Sequence, residues 1–193
     1  MAKKKSGLSF IQKEKKFSNE TITEIISWIG IFVFAIFLAY VAVRALGTRI
    51  IIAGDSMEPS LYNRQVVYVD KVTYSIKAPS RDDVVVFSPN GNRNQLYSVK
   101  RVVAIPGDTV EISGGILYVN GEEEDRYSDA IADAGIAADE VTLGEDEFFV
   151  MGDNPNSSED SRSANIGPVL RSQVEGKAWL HMAGGGMGIG RIR

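Results

Sequence analysis

Residues 25–43, IISWIGIFVFAIFLAYVAV, form a run of 19 residues without a single charge. At ~1.5 Å per helical residue such a run spans roughly 28 Å, close to the ~30 Å hydrocarbon core of a bilayer. Twelve of the 19 are Ile, Leu, Val or Phe, each favourable near the membrane centre, and Trp28 and Tyr40 stand near the ends, where amphipathic rings prefer the interface. No polar face interrupts the run, which argues against a buried helix of a soluble core. A cleaved signal peptide has a shorter apolar region followed by a small-x-small site. Here Arg44 closes the run and 24 residues precede it, so an uncleaved membrane anchor is expected.

The charge distribution is polarised about that segment. Residues 1–24 carry six lysines against three glutamates, whereas residues 25–193 carry 15 basic and 22 acidic groups. Lys5, Lys13, Lys15 and Lys16 before the run, against Arg44 and Arg49 after it, predict a single-pass protein. In that topology residues 1–24 form a cytoplasmic tail, 25–43 the transmembrane anchor in the lipid bilayer, and 45–193 a domain on the outer face. The formal net charge of -4 argues against a nucleic-acid partner. With no cysteine, a disulfide scaffold, a thiol nucleophile and thiolate zinc sites are excluded. His181 is the single histidine, so a His-rich metal site is excluded, and any Ser-His-Asp triad would have to use it.

Beyond the anchor the pattern is mainly β. Residues 66–69, 83–87, 97–105, 110–112, 116–119 and 147–151 are short, rich in β-branched or aromatic residues, and separated by turn signals such as Pro106-Gly-Asp108 and Ser113-Gly-Gly115. The expected fold is a barrel-like or coiled antiparallel sheet with little helix outside the membrane. Asn120-Gly121 is a hairpin signal, but the acidic residues after it favour a long return loop. Residues 122–147, acidic and Ala-rich, read as a solvated insertion, and Gly184–Gly190 as a mobile tail.

Three segments could carry chemistry. Ser56 sits between Gly54 and Pro59, residues that fix unusual backbone and could expose a hydroxyl, although an ordinary turn has the same look. Lys100 and Arg101 are adjacent inside an apolar strand and so point to opposite faces. A lysine in apolar surroundings loses its preference for charge and becomes a base; an edge-strand lysine that blocks aggregation is the competing reading. The third segment, 150–162, runs from an apolar strand into a loop holding Asp153, Asn154, Ser157, Ser158, Asp160 and Arg162. As a bare pattern it is an Asx-rich turn in which Asp160 and Arg162 can pair.

Together these segments resemble the membrane-bound serine peptidases called signal peptidase I, or leader peptidase. That family's four ordered boxes are matched by 56–61 (SMEPSL), 81–87 (RDDVVVF), 100–108 (KRVVAIPGD) and 152–162 (GDNPNSSEDSR), after a transmembrane anchor. The resemblance implies a serine endopeptidase that cuts exported preproteins after a small-x-small (Ala-x-Ala) sequence, bound in extended form. It implies Ser56 as nucleophile, Lys100 as general base and Ser158 as the serine that orients the lysine. Asp160 and Arg162 would be a supporting ion pair, Gly152 the glycine that leaves room beside the lysine, and Met57 a residue shaping the substrate pockets. No metal or cofactor is implied, and the enzyme would act as a monomer. A hydroxyl is a poor nucleophile until a base takes its proton, and a Ser-Lys pair is the known alternative to histidine.

Asp82 departs from the family's usual Gly, and Pro155 from a common Arg. Gly54 stands where longer relatives carry a serine hydroxyl for the oxyanion, as in shorter, Gram-positive-type members. The self-cleaving repressors of the SOS response share a Ser-Lys dyad, but they would carry a DNA-binding helical domain instead of an anchor. A membrane-anchored assembly protein with the same fold would be expected to lack Ser or Lys, and this chain has both.

Overall fold

The computed structural model describes residues 19–46, 48–91, 97–127 and 129–192. The chain divides into two units, 1–40 and 41–193, each considered by itself. The first is carried by helix α1, Asn19–Leu46. Its stretch Glu20–Val43 is long and apolar enough to cross a membrane, and none of that window is buried inside the protein. The helix contains the whole 25–43 run; the tail residues 1–18 lie outside the described residues.

The second unit is mainly β. Its elements in chain order are β1 (Thr48–Ile51), β2 (Val66–Asp70), the short α2 (Thr73–Ile76), β3 (Val84–Phe87), β4 (Ser98–Ala104), β5 (Thr109–Ser113), β6 (Ile116–Val119) and β7 (Glu122–Glu123). There follow β8 (Val141–Thr142), β9 (Glu147–Met151), β10 (Val169–Leu170), β11 (Val174–His181) and β12 (Gly190–Arg191). A large antiparallel sheet runs in the order β1-β2-β11-β3-β4-β9-β10, with β12 on β11, and curls into a half-barrel. A second sheet has the order β7-β6-β5-β8. Register shifts interrupt the β2–β11, β3–β11 and β4–β9 ladders, and such irregularities add the local twist that bends a sheet.

The sequence explains the central strands through their period of two. Val84 and Val86 enter one apolar cluster with Met57, Leu61, Val67 and Val99, while Val85 and Phe87 enter another with Val102, Phe148 and Val150. With both faces covered, β3 reads as a continuous apolar run. The second sheet closes a third cluster around Val110, Leu117, Phe149 and Met151.

Three expectations are corrected. Asn120-Gly121 forms a tight two-residue hairpin: both residues have positive φ (55° and 77°), and Val119 pairs directly with Glu122. That conformation matches the strand twist, and the glutamates tolerate it because they lie at an exposed edge. Residues 122–147 are not simply solvated, because Ile131, Ala137 and Leu143 are buried against the second sheet. The acidic residues face outward while these apolar ones anchor the segment. The Gly184–Gly190 stretch is tied back, since Gly184 and Met187 bond to each other and Gly190–Arg191 pairs with β11.

Candidate active site

Ser56 is held in a turn pinned from both ends of its own segment. Met57 and Leu61, fully buried in the core, are joined by a Leu61 N–H to Met57 carbonyl bond of 2.8 Å, and the Glu58 N–H donates to the Asp55 carbonyl at 3.1 Å. Gly54 has φ +88°, a region that L side chains avoid, so glycine is required by the backbone there. Its N–H donates to Asn63 Oδ1 at 3.3 Å. Met57 is 0% exposed beneath the turn and anchors it in the core. Ser56 stays partly exposed above it.

Strand β4 presents Lys100 and Arg101 to opposite faces, as the strand period demands. Lys100 lies across from Val85 and shares its face with Val102. It is 6% exposed, and its Nζ forms a 2.6 Å hydrogen bond with Ser56 Oγ. Burial is the main reason its ammonium is held below the usual lysine range. The carboxylates of Asp160 and Glu159 oppose that shift, the Arg162 charge adds to it, and Asp153 opposes it again.

Arg101 is 1% exposed and forks onto Asp153, with Nε to Oδ1 at 2.7 Å and Nη2 to Oδ2 at 2.6 Å. Its Nη1 donates to the Asp82 carbonyl at 2.9 Å. Asp82, standing where the family usually has Gly, adopts φ +70°, and its carboxylate pairs with Arg126. The departure therefore keeps the glycine-like turn, because Asp is among the few residues that tolerate it.

The loop after β9 supplies a second buried ion pair. Asp160 Oδ1 accepts from Arg162 Nε at 2.8 Å, and Oδ2 accepts from Arg162 Nη2 at 3.0 Å. Oδ2 also accepts from the Gly152 N–H at 3.1 Å and the Ser158 hydroxyl at 2.6 Å. These donors satisfy a carboxylate that is 1% exposed and would be costly to bury without partners. Arg162 spends its remaining donors on the Pro155 carbonyl (2.6 Å) and the Asp133 carbonyl (2.9 Å). Pro155, in place of a common Arg, thus contributes its backbone to the clamp. The Asp133 bond fastens the acidic insertion to the loop.

Two expected roles shift. Ser158 is directed at Asp160, not at Lys100: its hydroxyl donates to the Asp160 carboxylate at 2.6 Å. Gly152 leaves room beside Ser56 and Ser158: a Cβ there would overlap the Ser56 carbonyl oxygen and the Ser158 hydroxyl. Sequence reasoning noted Asp153 in its loop but gave it no partner; a buried arginine in an apolar strand demands a carboxylate, and this was the available signal. His181 lies on β11, its Nδ1 3.0 Å from Gln65 Nε2.

Above Ser56 opens a groove of about 460 Å³, whose wall includes Ala53, Gly54, Asp55, Ser56, Lys100 and Glu159. A hydroxyl hydrogen-bonded to a buried amine at the floor of a groove is an arrangement for acyl transfer.

The family model described as signal peptidase, peptidase S26, matches residues 25–183. The chain is similar to signal peptidase I P of Bacillus subtilis subsp. natto, with 32% identity over 80% of this chain and 84% of that one. It is also similar to signal peptidase IB of Staphylococcus aureus (strain COL), with 31% identity over 80% of this chain and 87% of that one. A solved signal peptidase I from Enterococcus faecalis V583 aligns with a TM-score of 0.42 at 33% identity, covering 53% of this chain and 97% of that one.

Proposed function

The chain belongs to the peptidase S26 signal peptidases, serine endopeptidases that remove signal peptides, and on that premise we propose that it cleaves exported preproteins with a Ser56–Lys100 dyad. The observation that carries the reading is the 2.6 Å bond between Ser56 Oγ and the buried Lys100 Nζ. A neutral Lys100 takes the Ser56 proton as Oγ attacks the scissile carbonyl. The oxyanion is met by the Ser56 N–H, which has no hydrogen-bond partner among the described residues. The Lys100 ammonium then gives its proton to the leaving amine. Water hydrolyses the acyl-enzyme with Lys100 as base again, restoring the Ser56 hydroxyl.

Asp160, Arg162, Ser158 and Gly152 act on this pair indirectly, by fixing the loop whose Asn154 N–H holds the Ser56 carbonyl at 3.0 Å. Cleavage follows a small-x-small (Ala-x-Ala) sequence. Residues 25–43 anchor a single-pass monomer in the lipid bilayer, with 1–24 in the cytoplasm and 45–193 outside.

The test is incubation of the detergent-purified full chain with a preprotein, followed by sequencing of the new N-terminus. A cut after small-x-small that disappears in Ser56→Ala is expected; an active Ser56→Ala enzyme overturns the dyad. Protease added to intact spheroplasts should leave only a tail-plus-anchor fragment. Protection of the 45–193 domain would reverse the topology.

A further inference from the structure

The wall of the Ser56 groove has an uneven charge. Its ionisable members among the described residues are Asp55, Lys100 and Glu159. Lys100 is 6% exposed, so its side chain offers the groove little charged surface, and burial holds its ammonium below the usual lysine range. The nearby acids Asp153 and Asp160 are neutralised by Arg101 and Arg162. Asp55 and Glu159 are different: both are exposed, and neither carboxylate has a hydrogen bond or ion pair among the described residues. Asp55 adjoins the nucleophile in sequence, while Glu159 comes from the loop between Ser158 and Asp160 and is close enough for its field to act on Lys100. Among the described residues, two carboxylates without a partner thus rim the groove, contributed by different segments, one beside each member of the dyad.

Resting on the Ser56–Lys100 reading, we propose that Asp55 and Glu159 make this peptidase selective against acidic side chains near the scissile bond, so that substrates carrying basic or neutral residues there are cut faster. The small residues of the recognition sequence are too short to meet the rim. The middle residue of small-x-small and the first residues after the cut are free to be long, and there a carboxylate is repelled and an ammonium attracted. Partly exposed pairs of this kind give discrimination of several-fold to about tenfold, weakened by salt.

The experiment uses the full chain in neutral detergent with peptides that share one small-x-small sequence. Each carries Lys, Gln or Glu at the middle position or at one of the first three positions after the cut. The readout is the ratio of kcat/KM for the Lys peptide to that for the Glu peptide, in which any change in Lys100 basicity cancels. At about 50 mM salt the wild-type ratio should reach several-fold at one or more positions, and fall toward one near 500 mM salt. It should also fall toward one in Glu159→Gln, in Asp55→Asn and most fully in the double variant. A wild-type ratio of one at every position, with Ser56→Ala inactive, overturns the proposal and leaves the dyad standing. A ratio that persists in the double variant overturns it too. Cleavage by Ser56→Ala would remove the dyad and the proposal together.

Discussion

The Asn154 N–H donates to the Ser56 carbonyl oxygen at 3.0 Å. This backbone bond ties the Ser56 turn to the loop carrying Asp153, Ser158 and Asp160, and Gly152 sits directly beneath the junction. The position of the Ser56 hydroxyl is therefore fixed by two segments a hundred residues apart in sequence, each anchored by its own buried side chains.

Gly152→Ala tests that junction. The added Cβ has to displace the Ser56 carbonyl and the Ser158 hydroxyl, one of them backbone, and a shift of an ångström at a nucleophile costs on the order of 100-fold in rate. We expect kcat to fall by that much while circular dichroism shows a folded domain. Wild-type kcat would mean that the turn moves without consequence.

Lys100→Arg should abolish cleavage as completely as Lys100→Ala, because a guanidinium stays protonated at any accessible pH. For the wild type, kcat/KM should rise with pH through the lowered pKa of Lys100, well below the ordinary 10.5. The fields of Asp160, Glu159, Arg162 and Asp153 all bear on that midpoint. An active Lys100→Arg enzyme contradicts the mechanism.

The same lysine should be a burden on stability. Its folded pKa is depressed, so over the interval between that value and the unfolded 10.5 the unfolded chain binds more protons, and stability rises with pH across it. Below the interval the amine is charged in both states and its burial opposes folding in full. Lys100→Met, of similar volume, should therefore raise Tm at pH 7, with the gain shrinking as pH approaches 10.5. Thermal melts at pH 7 and pH 10 read this directly, and a gain that grows with pH would refute it.

Arg101→Lys should be costly although it keeps the charge. The fork onto Asp153 and the bond to the Asp82 carbonyl need the guanidinium geometry, and both side chains of the pair are almost fully buried. Breaking such a pair costs about 3–5 kcal/mol, and Asp153→Asn should approach that value, with Arg101→Lys somewhat below it. Urea unfolding measures both. A loss under about 0.5 kcal/mol, typical of surface sites, would exclude a structural role.

Asp82→Gly should be nearly neutral. Glycine relieves φ +70° but gives up the exposed pair with Arg126, and each effect is worth about 1 kcal/mol or less. Unchanged cleavage with a small Tm shift is expected; a collapse of either would show that the Arg126 contact matters more than its exposure suggests.

The strands with clean alternation or β-branched runs were legible in the sequence, β3, β4, β6 and β9 among them. Strand β11 was not, because Glu175, Gly176 and Lys177 interrupt it. Its pairing depends on partners far away in sequence: β2 and β3 flank it, Lys177 pairs with Asp83, and a Cβ at Gly176 would run into the Asp70 carbonyl. At the candidate site, Ser56 and Lys100 could be named from their segments and the family boxes. The direction of Ser158 could not, since Asp160 and Lys100 compete for its hydroxyl and only the fold places Asp160 within 2.6 Å. The Arg101–Asp153 fork was hidden for the same reason, the two residues meeting only across the β4–β9 ladder.

The alternation of Lys100 and Arg101 on β4 has a consequence for misassembly. A slip of one residue against β3 turns every β4 side chain to the other face. In the slip that carries Arg101 into the place of Lys100, the guanidinium would stand at Ser56 and the apolar Val102 at Asp153. Such a chain would have an unactivated hydroxyl beside a cation that cannot accept its proton. An error in strand pairing therefore yields a silent protein, not an unregulated peptidase, and catalytic competence itself reports that the sheet was assembled in register.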